Sequence, residues 1–401
     1  MKKYLILLLP VFILTLSHAS ENPIAELQNR VVEHTLKNGM KLLILERHTA
    51  PLVSYQMMFR AGGVDDKAGQ TGIAHLFEHM MFKGSQTVGA KDYAKEKPLL
   101  EKLDRLAQEI ITEESKAPNT DPSRLKSLQN QMTRLEKEHQ SLIIPAEFDQ
   151  IYQREGGEGL NAFTGKDMTG FVISLPSNKW ELWPILESDR MARPVLREFY
   201  KERDVVMEER RMRYDSAPNG KIWEEFLAAA YKAHPYGMPT IGWPSDLRRL
   251  TAPIAKEFFK KHYAPNNAVV AIVGDVQSAQ VIEKIENYFS KISSQPLVTD
   301  YPTDEPVQNG ERRVIVRFDA EPSMLMGFHK PPPPHPDNSA MDMIEQLLNR
   351  GRTSRFYQNI VEKQTAIEAF ASNGNPGERY PNMIIFGGDP GTPKKNPARE
   401  K

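Results

Sequence analysis

The sequence predicts an α+β fold of two related units, with a helical hairpin inserted into the first. Three observations carry this. Strand-like and helix-like stretches alternate over 401 residues, more than one core usually serves. A strand–loop–helix–glycine order occurs twice: "SYQMMFRAGG" then "GIAHLFEHMMFKGS" from Ser54, and "SMLMGFHKPP" then "SAMDMIEQLLNRGRTS" from Ser323. Between them, a stretch with leucines at three- and four-residue steps doubles back at a Pro/Asn/Asp turn. The expected units are 20–250, with the hairpin at about 94–142, and 251–401. Each is expected to be a duplicated α/β roll, a mixed or antiparallel sheet packed by helices. Phe82 and Leu250 lie 168 positions apart, whereas 52 residues follow Asn349. The second unit is therefore expected to be incomplete.

The elements follow in order. "MKKYLILLLPVFILTLSHAS" has two lysines, a short apolar run and small residues at Ser17 and Ala19. This is the pattern of a secretory signal peptide over 1–19, cleaved after Ala19. The apolar run is short for a span of about 20 residues. The expected product is exported and free of the membrane, periplasmic in a Gram-negative source. "GMKLLILERH" (39–48) and "PLVSYQMMFRAGG" (51–63) read as strands ended by glycines. "TGIAHLFEHMMF" reads as a helix begun by Thr71 or Gly72 and stopped at Lys83-Gly84.

In the hairpin, Leu99, Leu103, Leu106 and Ile110 form one apolar stripe. Leu125, Leu128, Met132, Leu135, His139 and Leu142 form the other. Its outer positions are charged or polar, so it reads either as a solvated spacer or as a partner-binding arm. "GGEGLNAFTGKDMTGFVISLP" (156–176) reads as a glycine turn and two strands. Residues 180–217 read as helical, broken at Pro194. A helix, a Pro-Asn turn and a buried strand follow over 252–276, where the second unit is expected to begin.

Composition narrows the function. Lys+Arg and Asp+Glu both total 52, so nothing points to nucleic acid or an anionic membrane as partner. There is no cysteine, which excludes disulfides, thiolate nucleophiles and Cys-ligated zinc.

The chemistry concentrates in "HLFEH", residues 75–79. Positions i, i+3 and i+4 share a helix face, so His75, Glu78 and His79 project together. Ile73, Ala74, Leu76, Phe77, Met80, Met81 and Phe82 make the helix apolar nearly all round, hence buried. A chance surface pair of histidines fits that poorly, because unpaired buried polar groups cost several kcal/mol. Two imidazoles four apart suit tetrahedral zinc at about 2.0–2.1 Å. Glu78 beside them can take a proton from a zinc-activated water. A third ligand from far along the chain is required. "YKERDVVMEERRMRYD" (200–215) offers Glu202, Glu208 and Glu209. Glu202 and Glu209 share a face, and Val205, Val206 and Met212 are expected to turn it toward the core. Glu208 points about 100° away and is expected to be solvated.

Beyond "HLFEH", the stretches "GGVDD", "GLNAFTGKDMTGF", "FYKERDVVMEE", "HPYGMPTIGWPSDL" and "HYAPNNAVVAIVGDV" together resemble the pitrilysin/insulinase metallopeptidases, the inverted zincins with an HxxEH signature. The resemblance runs from Val31 to Tyr357. It implies that His75, His79 and Glu209 bind one zinc ion per chain. It implies Glu78 as general base and Glu202, seven residues before Glu209, as a helper in the catalytic set. It implies that Asn161, Ala162, Phe163 and Thr164 form an edge strand to which a peptide substrate adds as an extra strand.

Two departures stand out. His79 and Glu209 are 130 residues apart, and the hairpin, expected to loop out without disturbing the site, accounts for the excess. Active family members also carry an Arg and a Tyr, seven apart, that hold the substrate carbonyl. Val361 and Glu368 stand there in this chain. The resemblance then implies the zinc-bearing subunit of a homo- or heterodimer, with the Arg/Tyr pair supplied by a partner of the same fold. The function expected is a secreted zinc metalloendopeptidase acting on peptides or unfolded segments. The alternative is a non-catalytic assembly subunit of the same fold, though such subunits lose HxxEH residues. A small-molecule metallohydrolase suits the edge strand less well.

Overall fold

The computed structural model of the chain describes residues 23–296 and 302–390. The expected signal peptide, 1–19, lies outside the described residues. The first elements are helix α1 (Pro23–Arg30), strands β1 (Val32–Thr35), β2 (Lys41–Glu46) and β3 (Leu52–Phe59), and helix α2 (Ile73–Met80). The hairpin follows as α3 (Tyr93–Glu114) and α4 (Pro122–Gln140), then helix α5 (Glu147–Arg154) and strands β4 (Glu158–Thr164) and β5 (Thr169–Pro176). Next come helices α6 (Leu182–Ala192), α7 (Phe199–Arg210), α8 (Pro218–Ala230), α9 (Pro244–Leu247) and α10 (Ala252–His262), strand β6 (Ala268–Gly274) and helix α11 (Ser278–Phe289). Strand β7 (Met324–Lys330), helix α12 (Asp337–Asn349), and strands β8 (Glu368–Asn375) and β9 (Asn382–Asp389) complete the order.

The fold is α+β, with a mixed six-stranded sheet in the order β1-β2-β6-β3-β5-β4. Strands β2 and β6 run parallel, and the other neighbours are antiparallel. In β3 the side chains alternate as a half-buried strand requires: Val53, Tyr55, Met57 and Phe59 face the core, Ser54 and Gln56 do not. A smaller antiparallel sheet, β7-β9-β8, carries α12.

The expected boundary at residue 250 does not match the sheet. Strand β6 lies inside the first sheet, between β2 and β3. Ala255, Phe258, Val270, Ile272, Val281, Ile285 and Phe289 all join the first core. The physical reason is that "AVVAIVG" is an apolar run that wants a hydrogen-bonded neighbour on each side, and the first sheet supplies both. Only beyond Phe289 does the chain pass to the second sheet.

The hairpin forms as its stripes predict, with Asp92 and Asp121 capping its helices. Leu103, Leu106, Ala107, Leu128 and Met132 join the main core. None of the exposed large hydrophobics lies between Tyr93 and Gln140, which favours a structural role over a partner-binding arm. It does not simply loop out. Glu96, 0 % exposed, pairs with Arg197 at 2.7 Å and bonds His139 at 2.9 Å. The Arg197 guanidinium in turn donates to the carbonyls of Lys83, Ser85 and Val88, just past α2.

Candidate metal centre

Helix α2 starts where two glycines meet. Gly72 has φ +87°, and a Cβ there would stand 2.5 Å from the carbonyl oxygen of Ile241. Only glycine fits such a position. Thr71 donates its hydroxyl to Asp246 at 2.8 Å and accepts the amide of Trp243 at 2.9 Å. Asp66 accepts the amides of Gly72 and Ala74, satisfying first-turn donors. On the core side of α2, Phe77 packs against Tyr263 with ring centroids 4.7 Å apart. "GWPSDL" and "HYAPN" thus act as clamps on this helix. Its other face carries His75, Glu78 and His79.

Helix α7 supplies the remaining carboxylates. Its anchoring differs from the expectation: Val206 is fully buried, but Val205 is 45 % and Met212 63 % exposed. Helical spacing sets which residues share a face, not which arc meets the core. Glu202 and Glu209 still point at α2. Glu208 is 54 % exposed and pairs with Arg211, as expected.

The two helices bring three candidate ligands together. The ligand atoms of His75, His79 and Glu209 lie within 4.8 Å of one another. His75 Nε2 is 3.7 Å from Glu209 Oε1, and His79 Nε2 is 3.4 Å from Glu209 Oε2. His79 Nδ1 donates to Glu202 at 3.0 Å, which leaves Nε2 turned toward the shared space. Glu202 is held from its other side by Lys83 Nζ at 2.7 Å. Two imidazoles and one carboxylate form a known donor set for catalytic zinc.

The electrostatics agree with a site built for a cation. Burial would lower the His79 imidazole, but its bonds to Glu202 and Glu209 outweigh this and raise it to about 9. Burial and the neighbouring His79 hold His75 below its usual range. Glu202 is carried down to about 2 because His79 and Lys83 overcome its burial. The protein therefore draws a positive charge to the gap between His79 and Glu209, where a divalent metal would replace the proton. The residues present fit zinc.

Glu78 lies beside this group and outside it. Its Oε2 accepts the hydroxyl of Thr164 at 2.5 Å, and burial raises its carboxyl above the usual range. Strand β4, with Asn161, Ala162, Phe163 and Thr164, is the outer strand of the sheet. Its free side meets no other strand among the described residues.

Three contributors escape the motif. Thr164 reaches the candidate base as well as ending β4. Lys83 braces Glu202, and Arg213 holds Glu209 Oε1 at 2.7 Å. The signal for both cations was present: Lys83 is four residues after His79, and Arg213 four after Glu209.

Comparison with known proteins gives the chain a family. The family model described as Insulinase (Peptidase family M16) matches residues 41–99, and that described as Peptidase M16 inactive domain matches 249–397. HxxEH falls within the first match. The zinc protease PqqE of Helicobacter pylori is 28 % identical over 366 residues, covering 89 % of this chain and 69 % of that protein. An uncharacterized zinc protease of Mycobacterium leprae is 24 % identical, covering 86 % and 67 %. The chain thus spans about two thirds of these relatives. A crystal structure of a protease from Helicobacter pylori superposes with TM-score 0.72 at 26 % identity, over 90 % of this chain and 75 % of that one. The first half of the periplasmic protease PqqL from Escherichia coli superposes at 0.62 with 17 % identity, over 90 % and 68 %, a likeness of fold alone. The chain belongs to the M16 family of zinc peptidases, the pitrilysin and insulinase group.

Proposed function

We propose that this chain is a zinc-dependent endopeptidase that hydrolyses peptides and unfolded protein segments. In this reading His75, His79 and Glu209 hold one zinc ion, and Glu78 is the general base. The observation that carries it is the convergence of an i, i+4 histidine pair with a carboxylate from α7, with Glu78 adjacent, outside that donor group and held by the Thr164 hydroxyl. Zinc at this place would polarise the scissile carbonyl and bring the pKa of water to about 7. The rest falls to the chain's own side chains. Glu202 fixes the His79 tautomer through Nδ1. Thr164 holds Glu78 Oε2, so the proton passes to Oε1 and on to the leaving amine. Strand β4 offers its free edge at Asn161–Thr164 to an extended peptide, whose main chain pairs with it while sequence preference stays loose.

Export to the periplasm fits the pattern of residues 1–19, and among the described residues no helix is long and apolar enough to cross a membrane. A dimer with a same-fold subunit fits the occupancy of two positions by Val361 and Glu368, which cannot hold a carbonyl as Arg and Tyr do.

The test is digestion of a peptide library by the purified chain, alone and with a same-fold partner, with and without chelator. Cleavage that chelator abolishes and zinc restores is expected. Cleavage indifferent to chelator, or none under any of these conditions, overturns the reading.

A further inference from the structure

On α7, Glu202 and Glu209 face α2, and each is followed directly by an arginine. Arg203, Val206 and Arg210 stand three and four residues apart and share the neighbouring face of the helix. Val206 is fully buried and Arg210 is 3 % exposed, so this is the arc of α7 that meets the core. What it meets is the segment 242–250. Arg203 donates to the carbonyls of Arg248 at 2.9 Å and Leu250 at 3.3 Å. Arg210, two turns on, donates to the Gly242 carbonyl at 3.0 Å. Its other amino group pairs with Glu224 of α8 at 2.7 Å, and both side chains are buried. The guanidinium also lies over the Trp243 ring, 5.1 Å from its centroid.

The same segment holds the start of α2. Gly242 has φ +87°, and a Cβ there would stand 2.4 Å from the Thr71 carbonyl oxygen and 2.6 Å from the Gly72 Cα. Trp243 donates its amide to the Thr71 hydroxyl oxygen, and Asp246 accepts the Thr71 hydroxyl. His79 and Glu209 are separated by 130 positions of chain, too long a connection to set their spacing. Segment 242–250 touches both helices and can set it.

We propose that segment 242–250 is a shared brace for the two ligand-bearing helices, and that Arg210 is the positioning residue that sets Glu209 against His75 and His79. This rests on the zinc reading above and adds to it the residue that aligns the ligands. Packing alone does not call for an arginine here, because a buried ion pair replaced by apolar residues of similar volume is often neutral for stability. What an apolar side chain lacks is direction. The guanidinium is a rigid planar fork. Its simultaneous bonds to Gly242 and Glu224 fix both the rotation and the height of α7 against α2. A site of this kind tolerates errors of only about 0.5 Å, and Glu209 is the residue next to the fork. Arg203 secures the same face two turns earlier, beside Glu202.

The experiment compares wild type with three variants of the full chain. Arg210→Lys keeps a cation for Glu224 and loses the fork. Arg210→Met combined with Glu224→Met removes the pair without stranding a charge. Arg203→Met leaves the Arg210–Glu224 pair intact. Each is read three ways: urea unfolding of the metal-free chain, zinc affinity of the folded chain by chelator competition, and visible absorption after cobalt loading, which reports the arrangement of the ligands. Both Arg210 variants are expected to lose roughly 10- to 100-fold in zinc affinity, the scale for partners outside the ligand set, and to change the cobalt spectrum. Arg203→Met should show a smaller loss in the same direction. Wild-type zinc affinity and cobalt spectrum in the Arg210 variants overturn the proposal, and a lowered urea midpoint with those two unchanged marks a purely structural role. If neither Arg210 variant folds, Arg203→Met decides by the same readings. Absence of zinc from wild type sinks the metal-centre reading itself, and the positioning role with it.

Discussion

Replacing Glu202 with Gln should weaken zinc binding although no ligand is lost. Glu202 accepts from His79 Nδ1 at 3.0 Å and from Lys83 at 2.7 Å. Gln keeps the shape, and its carbonyl can still accept from Nδ1. The charge that makes the imidazole a better donor to metal is gone, and the amide NH₂ now faces an ammonium. Losing an outer partner of this kind costs about 10–100-fold in metal affinity, or roughly 1.4–2.7 kcal/mol. The assay is competition with a chromophoric chelator on the purified chain. Glu208→Gln serves as control, since that side chain is 54 % exposed and pairs with Arg211. A double variant, Glu202→Gln with Lys83→Met, separates two causes. If the effect works through His79, removing the stranded ammonium does not restore affinity. Wild-type zinc affinity in Glu202→Gln, or full recovery in the double variant, would refute the reasoning.

Glu78→Gln should retain zinc by metal analysis and lose at least about 100-fold in turnover, the usual scale for a lost general base. Arg197→Met should destabilise the fold by about 3–5 kcal/mol in urea unfolding, because Glu96 is left as a buried charge without its guanidinium; a shift below 1 kcal/mol would show that His139 suffices. The chain alone should be a poor peptidase. Addition of a same-fold subunit bearing the Arg/Tyr pair should raise kcat by roughly 10²–10³, and full activity from a verified monomer would dismiss the partner.

What was legible followed local spacing. Helix α2 could be read because three chemistry-bearing residues share one face of an otherwise apolar segment. Glu209 could be preferred to Glu208 because seven residues make two turns. The hairpin's pairing came from leucine periodicity, while the outer position of β4 was implied only by the family resemblance. The rest depends on contacts between distant segments. Nothing local tells "AVVAIVG" to enter the first sheet between β2 and β3. The exposure of Val205 and Met212 depends on which neighbours cover α7, not on its own pattern.

Metal content is the most direct test of the central claim that His75, His79 and Glu209 form the zinc site. Wild type, Glu209→Gln and Glu208→Gln are purified without added chelator, loaded with zinc, desalted and analysed by inductively coupled plasma mass spectrometry. The account predicts about one zinc per chain in wild type and in Glu208→Gln, as a site with three protein ligands would hold, and little in Glu209→Gln. Zinc retained in Glu209→Gln but lost in Glu208→Gln, or absent from wild type, would contradict it.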